Sequence, residues 1–267
     1  MRAAWSIAIS LLIASSAVAA DPSATVIRAH WLIDPATGQR HEHWEVLVEN
    51  QHIRAVHATG GEVPAQAAVI DLGESTLLPG LIDTHTHLFL QGETPGPGDY
   101  DSQLLKHPAS YRAARAVVSA RRALKQGTWY VPTLQVYYTD WDPPDTPTGR
   151  RDRKRAEVHA VSFRKAMKAG VKMAFDTDVG GFSWSQPIAQ EFGREVELGM
   201  TPLQALQSAT TRAAELLERQ GAIGTLAPGA WADVIAVTGD PLQDVNALKN
   251  VVFVMKNGAV FKSPPGH

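Results

Sequence analysis

The chain has 267 residues, of which 44% are hydrophobic and 19% charged, enough apolar content to bury a sizeable core and too much for a disordered chain. Lys and Arg total 25 against 27 Asp and Glu, and the formal net charge of -2 lacks the basic footprint that nucleic-acid binding needs. Cysteine is absent, which excludes disulfides, thiolate nucleophiles and cysteine-ligated metal and leaves His and carboxylate as the only metal donors.

The first segment, MRAAWSIAISLLIASSAVAA, has Arg2 at its basic start, an apolar run from Trp5 to Ile13, and small residues Ala17, Val18 and Ala19 before Asp21. That is the layout of a cleaved signal peptide over 1–20, and its apolar run is too short to span a bilayer. A retained anchor is the alternative. No later stretch is apolar and long enough to cross a membrane, so the expectation is an exported chain, periplasmic or secreted, with no membrane partner in its mature form.

ATVIRAHWLID, HWEVLVENQHIRAV and AAVIDL follow as short apolar runs separated by turn residues. Alternation with such punctuation predicts strands paired by hairpins. ADVIAVTG and NVVFVMKNGAVFK repeat the texture at the far end, the second carrying an Asn257-Gly258 hairpin turn. Between them, SYRAARAVVSARRALKQG and RKRAEVHAVSFRKAMKAG read as amphipathic helices closed by glycine, and TPLQALQSATTRAAELL as a third opened by Thr201 and Pro202. LPGLIDTHTHLFL, GTWYVPTLQVYY and VKMAFDTD are the strands beside them, so a parallel α/β core is expected.

In LIDTHTHL a strand places Asp83, His85 and His87 on one face, where two imidazoles can share a cation. A lone HxH also occurs as polar packing, so the spacing by itself leaves both readings open. His107, before Pro108, and His159, in a charged helix, read as surface histidines. Asp176, two residues before Asp178, reads either as a ligand or second-sphere group or as a buried, paired carboxylate. Trp129, Tyr130, Tyr137, Tyr138 and Trp141 are divided between pocket wall and core packing, and GRRDRKR is a solvated basic face.

STLLPGLIDTHTHL resembles the first barrel strand of the amidohydrolase superfamily, metal-dependent hydrolases that include imidazolonepropionase-like enzymes and some Xaa-Pro dipeptidases. MAFDTDVG resembles that family's eighth strand, and EFGREVELGMTPLQALQSATTRAAELL, GAIGTLAPGAWADVIAVTGDPL and VVFVMKNGAVFK resemble its C-terminal helices and closing sandwich strands. The resemblance implies His85 and His87 as metal ligands and Asp178 as a ligand that also handles the proton of the attacking water. It implies a divalent metal, zinc in the first instance, and a small-molecule amide, cyclic amide or dipeptide as substrate.

A complete (β/α)₈ barrel takes about 250 residues. The implied organisation is a signal peptide (1–20), an N-terminal part of a β-sandwich (21–77), a partial hydrolase barrel (78–221) and the C-terminal part of the sandwich (222–267). The fold class expected is therefore α/β, an incomplete TIM-type barrel with a sandwich formed from both chain ends. GTWYVPTLQVYY resembles the seventh strand directly after the first helix, so strands two to six have no counterpart, and the join falls near Lys125 to Gly127. With them go the family's bridging lysine and two further metal histidines. Two functions follow: a hydrolase of C–N bonds working through metal-activated water, or an impaired remnant that binds metal or small molecules or completes its barrel with another chain. A sheet of the first, seventh and eighth strands cannot close, so self-association is expected.

Overall fold

The computed structural model describes residues 24–85, 129–138, 142–143, 145–180 and 182–265. The segment 1–20, the helix expected over SYRAARAVVSARRALKQG, His87, His107 and Trp141 lie outside these residues. No described helix is long and apolar enough to cross a membrane.

The alternating runs form strands β1 (Ala24–Asp34), β2 (Gln39–Glu49), β3 (His52–Ala58), β4 (Ala68–Asp71), β5 (Ser75–Pro79), β6 (Val234–Thr238), β7 (Val251–Lys256) and β8 (Ala259–Lys262). All eight belong to one sheet of order β3-β2-β1-β5-β6-β7-β8, with β4 paired to β1. The junction of the two chain ends is the antiparallel pair β5 and β6, from Ser75 opposite Thr238 to Pro79 opposite Val234. Asn257 and Gly258 both take positive φ, 50° and 77°, as a two-residue hairpin between β7 and β8 requires. A Cβ on Gly258 would sit 2.0 Å from the Asn50 carbonyl oxygen, so only glycine fits there.

Every residue of β5 is buried, because both faces of the sheet are covered at its centre. Leu78, Ile33, Ile235 and Val237 face one core, shared with the helices. Leu77, Ile27, Val234, Ala236 and Phe253 face the other. The period of two along β5 and β6 thus divides adjacent side chains between two cores.

Among the described residues, α1 (Pro147–Lys168), α2 (Gln190–Glu197) and α3 (Pro202–Ser208) cover the first core, and α4 (Thr211–Leu216) follows α3. α1 starts at Thr146, whose hydroxyl accepts the Gly149 N–H, and places Ala156, Ala160 and Phe163 in a buried stripe at helical spacing. The third helix predicted from Thr201 is two helices. At the break the Ser208 carbonyl accepts the Phe175 N–H and the Ala209 carbonyl accepts the Ile82 N–H. Carbonyls given to strand segments in this way cannot continue a helix ladder.

LPGLIDTHTHLFL is also divided. Leu78 and Pro79 close β5 in the sheet, and beyond Gly80 the chain runs to His85 without regular strand structure.

Candidate active site

Three irregular segments lie side by side behind the helices. Tyr130 donates to the Lys172 carbonyl (2.8 Å) and Ala174 to the Tyr130 carbonyl (3.2 Å), a parallel bridge between the expected seventh and eighth barrel strands. On the other side Thr84 donates its N–H to the Phe175 carbonyl (3.1 Å), and Asp178 donates to the His85 carbonyl (3.0 Å). The segment 172–178 therefore separates 130–134 from 82–85, and the first and last expected strands are neighbours.

These backbone contacts bring His85 between two carboxylates. Its Nδ1 is 3.6 Å from Asp176 Oδ2 and its Nε2 is 3.7 Å from Asp178 Oδ1. The Asp176 side chain is fully buried, whereas those of Asp178 and His85 are 24% and 46% exposed. Asp178 holds left-handed backbone at φ 58°, a conformation that Asp tolerates better than most residues. Thr133 is left-handed too, at φ 44°, which is strained for a β-branched residue. That turn aims the Thr133 N–H at Asp176 Oδ1, 2.9 Å away.

Asp176 Oδ2 is buried and accepts no hydrogen bond. Burial pushes the Asp176 carboxyl up to about 8, with the neighbouring Asp83 and Asp178 charges adding to the rise. Asp83 is bound up with the backbone instead, accepting the Thr177 hydroxyl at 2.6 Å, the Thr177 N–H at 3.2 Å and the His85 N–H at 3.1 Å. Burial raises its carboxyl as well, against those three donors.

The layer beneath was not foreseen from sequence. Glu191 of α2 is completely buried and accepts the N–H groups of Leu134 (2.7 Å) and Gln135 (2.5 Å), holding the loop that presents Thr133. Glu195, one turn on, accepts the Ser208 hydroxyl at 3.1 Å. Desolvation raises both carboxyls well above the ordinary range. The available signal was their spacing: Glu191 and Glu195 flank Phe192 on the buried face of EFGREVE, where carboxylates occur only with partners.

His159 is a correction. It stacks on Tyr137 at 4.3 Å with its Nδ1 buried, and desolvation lowers its imidazole to about 4. Its neighbours Ala156, Ala160 and Phe163 are the buried stripe of α1, so the charged composition of the helix concealed its inward face. The described aromatics are engaged in packing: Tyr130 joins the first core, Trp129 lies under the Lys172 ammonium and Tyr138 under the Arg194 guanidinium.

An α/β chain with an eight-stranded sheet and an acid-flanked histidine at the meeting of its irregular segments is the class these observations define. Residues 107–261 match the model of the Amidohydrolase family, and the chain belongs to that family. Ochratoxinase of Aspergillus niger is 40% identical over 116 residues, 41% of this chain and 23% of that protein. A dihydroorotase of Syntrophus aciditrophicus is 42% identical over 57 residues, 21% of this chain and 13% of that protein. The matches thus span less than a quarter of these relatives. Among solved structures, a Xaa-Pro dipeptidase superposes with a TM-score of 0.71 at 19% identity, over 90% of this chain and 100% of that one. The A. niger ochratoxinase superposes with a TM-score of 0.64 at 19% identity, over 91% and 96%. At such identities the superpositions speak for the fold.

Proposed function

We propose that the chain is a metal-dependent hydrolase of C–N bonds in small amides, cyclic amides or dipeptides, with His85, His87 and Asp178 as ligands and Asp178 as proton carrier. The observation that carries the reading is the buried Asp176 Oδ2, which accepts no hydrogen bond and faces the same imidazole that Asp178 approaches. A buried carboxylate behind the ring of a histidine orients that ring toward a metal, and imidazole with carboxylate is a donor set that zinc accepts. When bound there, a divalent ion supplies Lewis acidity toward the scissile carbonyl and toward water.

The residues themselves carry out the remaining steps. Asp178, partly open to solvent, accepts a proton on its carboxylate and returns it to the leaving nitrogen. Asp176 sits deeper and orients the His85 ring from the Nδ1 side, as carboxylates behind metal-binding histidines do. Thr133 and Glu191 fix Asp176 and its loop in turn. We take the architecture to be a partial barrel carrying a β-sandwich from both chain ends, in an exported protein. Among the described residues β8 is an outer strand of the sheet, and this edge, with Phe261 73% exposed, supports self-association as part of this reading.

One observation favours a second reading, a chain that binds metal or ligand without turnover. Asp176 and Asp178 approach opposite nitrogens of His85, so these three donors do not point at one position. Hydrolysis of a panel of N-acyl amino acids, dipeptides and cyclic amides, with and without added zinc(II) or manganese(II), separates the two. The hydrolase reading expects metal-dependent turnover that falls by about a hundredfold or more in Asp178→Asn. Turnover that survives this substitution removes Asp178 from the mechanism, and absence of turnover with retained metal binding selects the second reading.

A further inference from the structure

Away from these residues, on the β1 and β2 ladder, a second group of donors converges. The pairs Ala29 with Trp44 and Trp31 with Glu42 put His30 and His43 opposite each other across the two strands, and their rings lie 4.6 Å apart. In a regular strand the consecutive residues Glu42 and His43 would point to opposite faces. His43 instead takes left-handed backbone, φ 52°, and its carbonyl accepts the Thr59 N–H at 2.7 Å. This local kink brings both side chains to one place. Glu42 Oε1 lies 3.4 Å from His30 Nε2 and 3.9 Å from His43 Nε2.

We propose that His30, Glu42 and His43 form a surface site for one divalent metal ion of the zinc, nickel or copper type, which clamps β1 to β2. One donor atom from each lies within 4.8 Å of the others. Donors of a tetrahedral ion at about 2.1 Å stand about 3.4 Å from one another, so the observed separations need only small rotations, chiefly of the exposed Glu42 and His43 side chains about the partly buried His30. Two imidazoles and one carboxylate form the three-ligand set of open zinc sites, with solvent in the fourth position. A further carboxylate, Glu74 Oε1, lies 3.4 Å from His30 Nδ1, the far side of the ring. A carboxylate in that place draws the ring proton to Nδ1 and leaves the Nε2 lone pair facing Glu42 and His43. The kinked strand and the backing carboxylate are independent features that serve the same three atoms.

The proposal does not depend on the hydrolase reading, and its test is separate. Equilibrium dialysis of the full chain against zinc(II), read as bound metal per chain, compares wild type with His30→Gln, His43→Asn and His85→Ala. Asn tolerates left-handed backbone, so His43→Asn removes the ligand and preserves the kink. The expected result is loss of one zinc per chain, or affinity weakened about tenfold or more, in His30→Gln and His43→Asn, with that ion retained in His85→Ala. In wild-type protein labelled at its histidines, the ring signals of His30 and His43 should move together on zinc addition. Unchanged zinc content in both His30→Gln and His43→Asn, or unmoved ring signals at saturating zinc, overturns the site.

Discussion

The eight-stranded sheet and the His85 neighbourhood satisfy their backbones in opposite ways. In the sheet, neighbouring strands from β3 to β8 bond ladder to ladder, with register shifts at Leu47/Val48, Ala236/Val237 and Val254/Met255, and the side chains buried on its two faces are mostly apolar, the Arg28–Glu45 ion pair being the charged exception. Around His85 the backbone N–H groups of Thr133, Leu134, Gln135 and Thr177 go to the carboxylates of Asp176, Glu191 and Asp83. The sheet thus rests mainly on ladder hydrogen bonds and apolar burial, whereas the site is held by buried acids that cost desolvation free energy.

The largest effect should come from the sheet. Leu77 is completely buried at the centre of β5, between strands from the two chain ends. Leu77→Ala removes a core side chain and leaves a cavity, which should cost about 3 kcal/mol in urea unfolding. Because β5 joins β1 to β6, hydrogen exchange should accelerate in both strands together. Acceleration confined to one side would show that the two ends are stable independently.

Next comes the acid layer. Glu191→Leu leaves the N–H groups of Leu134 and Gln135 without acceptors, and two buried unpaired donors should cost about 2 to 3 kcal/mol despite the removal of a buried carboxyl. Glu191→Gln keeps an acceptor oxygen and should cost less. Equal losses in the two variants would mean that the carboxylate, and not its hydrogen bonds, matters to the fold.

A third test uses pH. The Asp176 carboxyl has an ordinary value of 3.8 and stands at about 8 in the folded chain, so between these values the folded state holds a proton that the unfolded state has released. Stability contributed by that proton is complete below the lower value and is lost as pH rises through the upper one. Metal-free protein should therefore be less stable at pH 8.5 than at pH 5, with Asp83, Glu191 and Glu195 shifted in the same sense. Asp176→Asn should flatten the slope, and a slope unaltered by that substitution would assign the pH dependence elsewhere.

This contrast also explains what the amino-acid sequence made legible. The strands of the sheet were readable because alternation with turn residues is a local signal, and Asn257-Gly258 dictates its own hairpin. The proximity of His85 and Asp178 followed from motif resemblance, since each sits in a short run of characteristic residues. The irregular course of 81–85 and 171–178 was not, because it depends on carbonyls of Ser208 and Ala209 more than thirty residues away. Nor was the role of Glu191, whose partners Leu134 and Gln135 stand in a different segment. The gathering of His43 is illegible for a similar reason: nothing in HEHWEV announces the left-handed turn that brings it to Glu42 and His30.

The smallest effect concerns α3, which connects the two regions. Its first turn is closed by a capping box, the Thr201 hydroxyl accepting the Gln204 N–H at 3.2 Å while the Gln204 side chain accepts the Thr201 N–H at 2.9 Å. On the sheet side Gln207 donates to the Pro35 carbonyl at 2.9 Å, and at its end the Ser208 carbonyl holds the Phe175 N–H at 3.0 Å. Thr201→Ala removes one side-chain acceptor from the helix start and should cost about 1 kcal/mol, while Thr201→Asp, which also caps, should cost little. The loss should be local: amide exchange quickens at Gln204 and Ala205, and the Phe175 amide keeps its protection because Leu206 and Ala209 are buried and anchor the far end of the helix. Exchange quickened at Phe175 as well would mean that the helix passes its start to the site as one cooperative unit, and would erase the distinction between the burial-held sheet and the acid-held site.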